Sequence, residues 1–109
     1  MNFPGLPTMP DTHLLFAYGS LLNPLVQRSV IGREIKGTPD RLFGFKKTTL
    51  RDGDEQYPNL SQDPQANVEG QVLEISDAEL GRIDLYEGDL YVRRRVTLAS
   101  GTQTWVYFS

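Results

Sequence analysis

The stretch Leu14-Leu15-Phe16-Ala17-Tyr18-Gly19-Ser20-Leu21 is an apolar run that ends in a small, tight turn. Its length and its bounding glycine predict a buried strand over His13 to Tyr18. Gly19 lets the chain turn sharply and lets another group approach the backbone. Asn23-Pro24 then has the form of a helix start, Asn as N-cap and Pro at the first helical position. A short helix follows to Ile31, with Leu22, Val26 and Val30 at steps of four as its apolar face and Gly32 just past its end. A strand, a glycine turn and a helix N-terminus in succession leave backbone N–H groups pointing into one small volume. Such a volume suits a carboxylate or an oxyanion. His13, the single histidine, enters the strand and reads as an edge residue, since one strand cannot fold it back onto Ser20 as a catalytic base.

Downstream the pattern turns to strand and loop. Ile35, Leu42, Phe43 and Phe45 supply core, and Lys46 to Arg51 continues as strand. Asp52-Gly53 reads as a hairpin turn, and the acids Asp52, Asp54 and Glu55 as its solvated surface, without the ligand spacing of a calcium loop. Tyr57-Pro58 is a proline turn and Ser61 to Asn67 a polar loop. Val68 to Ile75 is a strand in which Gly70 permits close packing. Tyr91 to Ala99 is another, with Val92, Val96 and Leu98 on one face and Tyr91, Arg93 and Arg95 on the other. Arg94 and Arg95 read as solvated; Arg93 stays open between an ion pair and an anion contact. Ser100-Gly101 turns the chain into a last strand, Thr102 to Phe108, whose Trp105, Val106, Tyr107 and Phe108 look like core. The order of elements implies an α+β domain with a small, strongly curved sheet.

Between these strands lies a helix that presents an acid. Ser76-Asp77-Ala78-Glu79 is a capping box, and a helix is expected from about Asp77 to Tyr86, ended by Gly88. Leu80, Ile83 and Glu87 fall at i, i+3 and i+7, on one helical stripe. Leu80 and Ile83 are core contacts, which turns Glu87 inward at the end of the stripe. A carboxylate there is desolvated, and its pKa rises toward neutrality, where it can accept and donate a proton. The other reading of the same spacing is a helix-end glutamate that escapes to water past Gly88. Asp84 sits beside the stripe, within reach of backbone, and Asp89 in a solvated turn.

Composition narrows the function classes. With 109 residues and 39% hydrophobic content the chain is expected to form one domain over residues 13–109, preceded by a poorly ordered, proline-containing arm over residues 1–12. A net charge of −3 without a basic face argues against nucleic acid. The absence of cysteine removes disulfides, thiolate metal sites and thiol nucleophiles, and fits the cytoplasm. No apolar run approaches the ~20 residues of a membrane span, and no signal peptide is evident.

Two motifs give the chain a family resemblance. Tyr18-Gly19-Ser20-Leu21 resembles the YGSL-type loop of the γ-glutamylcyclotransferase-like superfamily, which includes γ-glutamylamine cyclotransferases and AIG2-like proteins. Ile83-Asp84-Leu85-Tyr86-Glu87-Gly88 with Tyr91-Val92-Arg93-Arg94 looks like that superfamily's "L-D-x-x-E-G…Y-x-R" block, with Ile83 in place of the common Leu. Val68 to Ile75 is similar to its "V-x-G-x-V-x-x-I" strand, and Tyr57-Pro58 to a proline segment near its pocket. The resemblance implies a mixed-strand barrel flanked by short helices, with Glu87 as catalytic acid/base and Tyr18, Gly19, Ser20, Leu21 and Tyr91 binding substrate. It implies a small γ-glutamyl amine or amide as the partner, cyclised to 5-oxoproline with no cofactor and no metal, by a chain short enough to be a monomer. Two alternatives stand beside this: a non-catalytic ligand-binding module on the same fold, and an amidase that uses external water.

Overall fold

A computed structural model of the chain describes residues 12–109. The arm expected over residues 1–12 therefore lies outside the described residues except for Thr12, which already belongs to the first strand. The elements in order are β1 (Thr12–Ala17), a 3-10 turn (Ser20–Leu22), α1 (Pro24–Val30), β2 (Thr38–Asp52), β3 (Glu55–Ser76), α2 (Asp77–Glu87), a second 3-10 turn (Gly88–Leu90), β4 (Val92–Thr97) and β5 (Gln103–Phe108). They form one five-stranded sheet in the order β2-β3-β1-β5-β4. β1 pairs parallel with β5, and the other neighbours are antiparallel.

β1 is central because its sequence is apolar on both faces, as a strand covered on both sides must be. Leu15 and Ala17 join Leu73, Ile75, Leu80, Ile83 and Tyr107 in the layer between sheet and helices. Phe16 joins Leu42, Leu60, Val68, Leu98 and Val106 on the concave side. The sheet curls far enough that the Ala99 N–H, just past β4, donates to the Arg41 carbonyl of β2 at 2.8 Å. Ser100 closes the same seam through Asp40, its N–H donating to Oδ1 at 3.3 Å. The result is a mixed, half-closed barrel with α1 and α2 on its outside, the α+β class expected.

Several expectations need correction. Ser61 to Asn67, expected as a loop, lies within the bounds of β3, and Ser61, Gln62 and Asn67 pair with β2, while Asp63 to Ala66 bulge out opposite Gly44 without strand partners, the Gln65 N–H donating to Asp63 Oδ1 at 3.0 Å. The register does slip there, since Phe43 faces Asn67 while Phe45 faces Gln62. This bulge turns Phe43 out to solvent, 60% exposed, instead of into the core. Val92 is likewise exposed at 53%. The hairpin turn consists of Gly53-Asp54, one residue later than expected, with Gly53 at φ 62° in its first position. Asn23 caps α1 as foreseen, its Oδ1 accepting from the Leu25 N–H at 2.8 Å. The capping box of α2 forms as well.

Candidate active site

The sequence-derived site residues meet in one place. A cavity of about 400 Å³ opens at the end of β1, lined by Tyr18, Gly19, Ser20, Leu21, Glu87 and Tyr91, together with Leu15, Phe16, Ala17, Tyr57, Pro58, Tyr86, Leu90 and Tyr107. Its volume lies in the range of small-ligand sites. Among the described residues lining it, Glu87 is the one charged side chain.

α2 delivers Glu87 for the reason its sequence suggests. Leu80 and Ile83 anchor the helix, 5% and 0% exposed, and the same stripe carries Glu87 over the cavity. Burial, with no cation or donor to offset it, pushes the carboxyl up to about 7. The inward reading of this glutamate holds and the escape to water does not. The turn after β1, Gly19 to Leu21, lines the same cavity. The Gly19 N–H has no backbone acceptor among the described residues, and the N–H groups of Ser20 and Leu21 open a 3-10 turn, whose first donors have no partner within the turn. These donors belong to the segment ahead of α1. The α1 N-terminus itself is occupied by the Asn23 cap, so the helix end expected to face the cavity is not what supplies them.

Side chains that the sequence left unassigned hold these two parts. Gln27 is 3% exposed on α1, where a polar residue breaks the apolar pattern. Its Nε2 donates to the Leu21 carbonyl and its Oε1 accepts from the Ile35 N–H, each at 2.8 Å, which fixes the glycine turn. Tyr107 ties the floor together. Its carbonyl accepts from the Tyr18 hydroxyl at 2.6 Å, and its own hydroxyl donates to Asp84 at 2.5 Å. Asp84 thus bonds a side chain rather than the backbone, one turn before Glu87 on the same helix. Arg93 lies with its Nε 3.5 Å from Asp84 and its guanidinium 4.5 Å over the Trp105 ring, while its buried Nη1 has no hydrogen-bond partner among the described residues. Arg95 lies on the same ring at 4.2 Å.

The cavity wall is rich in tyrosine. The Tyr91 hydroxyl donates to the Pro58 carbonyl at 2.5 Å, and the Ser20 and Tyr86 hydroxyls bond at 2.8 Å. Burial, and then the nearby Glu87, Tyr86 and Tyr57, pushes the Tyr91 phenol up to about 12. Burial also raises Tyr18 and Tyr107. These phenols stay neutral throughout the physiological range, which leaves Glu87 as the group here that titrates near pH 7. Among the described residues no group of three or more His, Asp or Glu side chains gathers where a metal ion would sit. No helix among them is long and apolar enough to cross a membrane.

Comparison with known proteins agrees with this fold. Residues 15–109 match the family model described as gamma-glutamyl cyclotransferase, AIG2-like. Protein AIG2 C of Arabidopsis thaliana is 34% identical over 85 residues, 77% of this chain and 50% of that relative. The chain therefore spans about half the length of the curated relative it matches. The solution structure of another Arabidopsis thaliana protein superposes with a TM-score of 0.78 at 28% identity, covering 95% of this chain and 66% of the other. A gamma-glutamyl cyclotransferase structure superposes with a TM-score of 0.76 over 89% of this chain and 66% of its own, and at 22% identity it speaks for the fold.

Proposed function

The chain belongs to the gamma-glutamyl cyclotransferase, AIG2-like family, and on that premise we propose that it cyclises the glutamyl part of a γ-glutamyl amine or amide to 5-oxoproline and releases the amine. One observation carries the reading: a half-buried carboxyl that burial pushes up to about 7 lines the same small cavity as the backbone of the Gly19-Ser20-Leu21 turn.

The reaction is an attack of the substrate's α-amine on its own γ-carbonyl carbon. Held folded, amine and carbonyl meet without an enzyme nucleophile, so binding supplies most of what is needed. The Glu87 carboxylate takes a proton from the α-ammonium. The freed nitrogen forms the new C–N bond, and the carbonyl oxygen becomes an oxyanion. The backbone N–H groups of the turn hold the substrate's α-carboxylate or this oxyanion. Glu87, now protonated, gives its proton to the departing nitrogen as the old C–N bond breaks. The ring nitrogen still carries a second proton of the original α-ammonium; Glu87, a carboxylate again, takes it and passes it to the freed amine, so the products are 5-oxoproline and the amine as an ammonium, and no water is consumed.

Glu87→Gln is expected to fold normally and to form no 5-oxoproline from γ-glutamyl amides that the parent consumes, as read by mass spectrometry. Full activity in that variant overturns the assignment. Label from heavy water-oxygen in the acid product would point instead to hydrolysis, and binding without turnover by the parent to a ligand-binding module.

A further inference from the structure

The last turn of α2 is held to the sheet by less than the rest of the helix. Upstream, the capping box fixes the first turn, and Leu80 and Ile83 sink into the core. Past Ile83 the side chains turn outward. Leu85 is 83% exposed and Tyr86 46%, its hydroxyl bonded to Ser20 of the glycine turn rather than to a strand. Gly88, at φ 62°, then ends the helix, so no further turn steadies Glu87. The Glu87 carboxyl has burial around it and no donor or cation. Its inward direction therefore depends on the backbone that carries it. Among the described residues Asp84 is the one in this turn whose side chain bonds a strand. Its Oδ1 accepts from the Tyr107 hydroxyl of β5 at 2.5 Å, and the Arg93 Nε of β4 lies 3.5 Å from the same oxygen. Arg93 and Tyr107 are register partners, so their side chains share the face of the sheet beneath α2. Tyr107 is also joined to the end of β1, since its carbonyl accepts from the Tyr18 hydroxyl at 2.6 Å.

Resting on the cyclotransferase reading for what Glu87 does, we propose that Asp84 is a positioning residue for that reaction: through the Tyr107 hydroxyl it locks the last turn of α2 against β5 and so keeps the Glu87 carboxyl inside the cavity. The group it steadies works by reach. A proton carrier must stay within hydrogen-bond distance of the α-ammonium and of the departing nitrogen, and a displacement of about 1 Å can cost on the order of 100-fold in rate. Without the bond to Tyr107, Glu87 is free to follow Leu85 and Tyr86 toward solvent. The hold is mechanical rather than electrostatic. A negative charge one turn away would also disfavour a charged Glu87, yet burial is the cause behind the rise of this carboxyl. Arg93 sits beside Asp84 as a charge more than as a donor: 3.5 Å is long for a hydrogen bond, and its buried Nη1 is left without a partner among the described residues. An unmet buried donor costs stability, and proteins carry such costs where a functional group has to be held in one geometry.

The titration of Glu87 reads this hold directly, by NMR of isotope-labelled glutamate carboxyls, with the Glu87 signal identified by its loss in Glu87→Gln. The other titratable groups that line the cavity are the phenols of Tyr18 on β1, Tyr57 on β3, Tyr86 on α2, Tyr91 just before β4 and Tyr107 on β5. The parent is expected to titrate at about 7. Tyr107→Phe keeps the ring in the core and the carbonyl that receives Tyr18, and removes only the bond to Asp84. This variant and Asp84→Ala are expected to lower the Glu87 midpoint by about one pH unit or more, toward the ordinary 4.5. With a γ-glutamyl amide that the parent consumes, both should cut kcat roughly tenfold or more and change KM by less than about threefold. Asp84→Asn keeps an acceptor for Tyr107 and loses the charge, and its midpoint should stay within about half a pH unit of the parent's. An unchanged midpoint in Tyr107→Phe overturns the proposal. So does a fall in Asp84→Asn as large as in Asp84→Ala, which would make the charge the agent, and so does a parent midpoint near 4.5, which would mean that the carboxyl is not held inward. Where Asp84→Ala fails to fold, Tyr107→Phe decides alone. If the midpoints follow the expected order and no γ-glutamyl compound yields 5-oxoproline, the cyclotransferase reading fails while the hold on Glu87 stands.

Discussion

Two glutamates on one helix show how position sets the chemistry of a residue. Glu79 accepts two hydrogen bonds from the Arg33 guanidinium, at 2.7 and 3.0 Å, and one from the Ser76 N–H at 2.8 Å. The bonds from Arg33 come first among the causes that pull its carboxyl down to about 2. Glu87, two turns on, has only burial around it and rises to about 7. The consequences for stability have opposite signs. Glu79 contributes stability that is present above the ordinary carboxylate value of 4.5 and is lost as pH falls toward 2. Glu87 is more protonated in the folded than in the unfolded chain between 4.5 and 7, so it withdraws stability as pH rises through that window, and the full penalty applies above it. Glu79→Gln should therefore lower the urea midpoint at pH 7, by about 2 kcal/mol in free energy, and by progressively less toward pH 3. Glu87→Gln should raise it at pH 8, by on the order of 2 kcal/mol after allowance for solvent access, and leave it unchanged near pH 4. Parallel pH profiles for the two variants would leave Glu87 without a physical basis as a proton carrier.

At the scale of the elements, the site exists because β1 and β3 approach closely beside it. A Cβ on Gly70 of β3 would stand 2.4 Å from the Ala17 carbonyl and 2.7 Å from the Phe16 ring, one residue before Tyr18 enters the cavity wall. Gly70→Ala must push these strands apart and is expected to lower unfolding free energy by about 3 kcal/mol. Gly81, inside α2, has nothing within 4 Å of the same position. Gly81→Ala should add roughly 0.5–1 kcal/mol through helix propensity alone. Equal effects in urea titrations would contradict the packing described. The elements that sequence patterning disclosed are those with a strong local signal. β1 is apolar on both faces, α2 carries its capping box, and Glu87 completes a stripe begun by Leu80 and Ile83. The parts it missed depend on partners distant in sequence. Nothing near Asp84 announces that Tyr107 will reach it from β5, and Gln27 is a polar residue on a helix whose burial is justified only by the Leu21 carbonyl and the Ile35 N–H.

For the whole molecule, the largest departure from the sequence-based picture is the long β2–β3 hairpin, and its physical cause bears on stability. Past the bulge at Phe43 and Phe45, the two strands pair only with each other, from Phe45 with Gln62 out to Asp52 with Glu55. Both faces of this ribbon meet solvent over most of its length, so its returning strand lacks the alternation that marks a half-buried strand and reads as a proline turn at Tyr57-Pro58 and a polar loop from Ser61, although the outgoing strand over Lys46 to Arg51 and its turn are legible. At ~3.3 Å per residue it projects about 25 Å, which accounts for much of the 52 × 30 × 24 Å extent. An isolated two-stranded ribbon is marginal in water, whereas β1 is flanked on both edges and covered on both faces. Hydrogen exchange should therefore divide the molecule. Amides near the ribbon tip, Leu50 to Gln56, should open locally at a small fraction of the global unfolding free energy, while those of Leu15, Phe16 and Leu73 exchange only through global unfolding. The base of the ribbon carries Tyr57 and Pro58 to the cavity, and the bond from Tyr91 to the Pro58 carbonyl pins it there. Protection should rise steeply over the few residues from Gln56 to Leu60, the last of these 3% exposed in the core. A ribbon tip as protected as β1 would mean that something other than strand pairing holds it, and uniform fast exchange through Leu60 would mean that this wall of the cavity is not held in place.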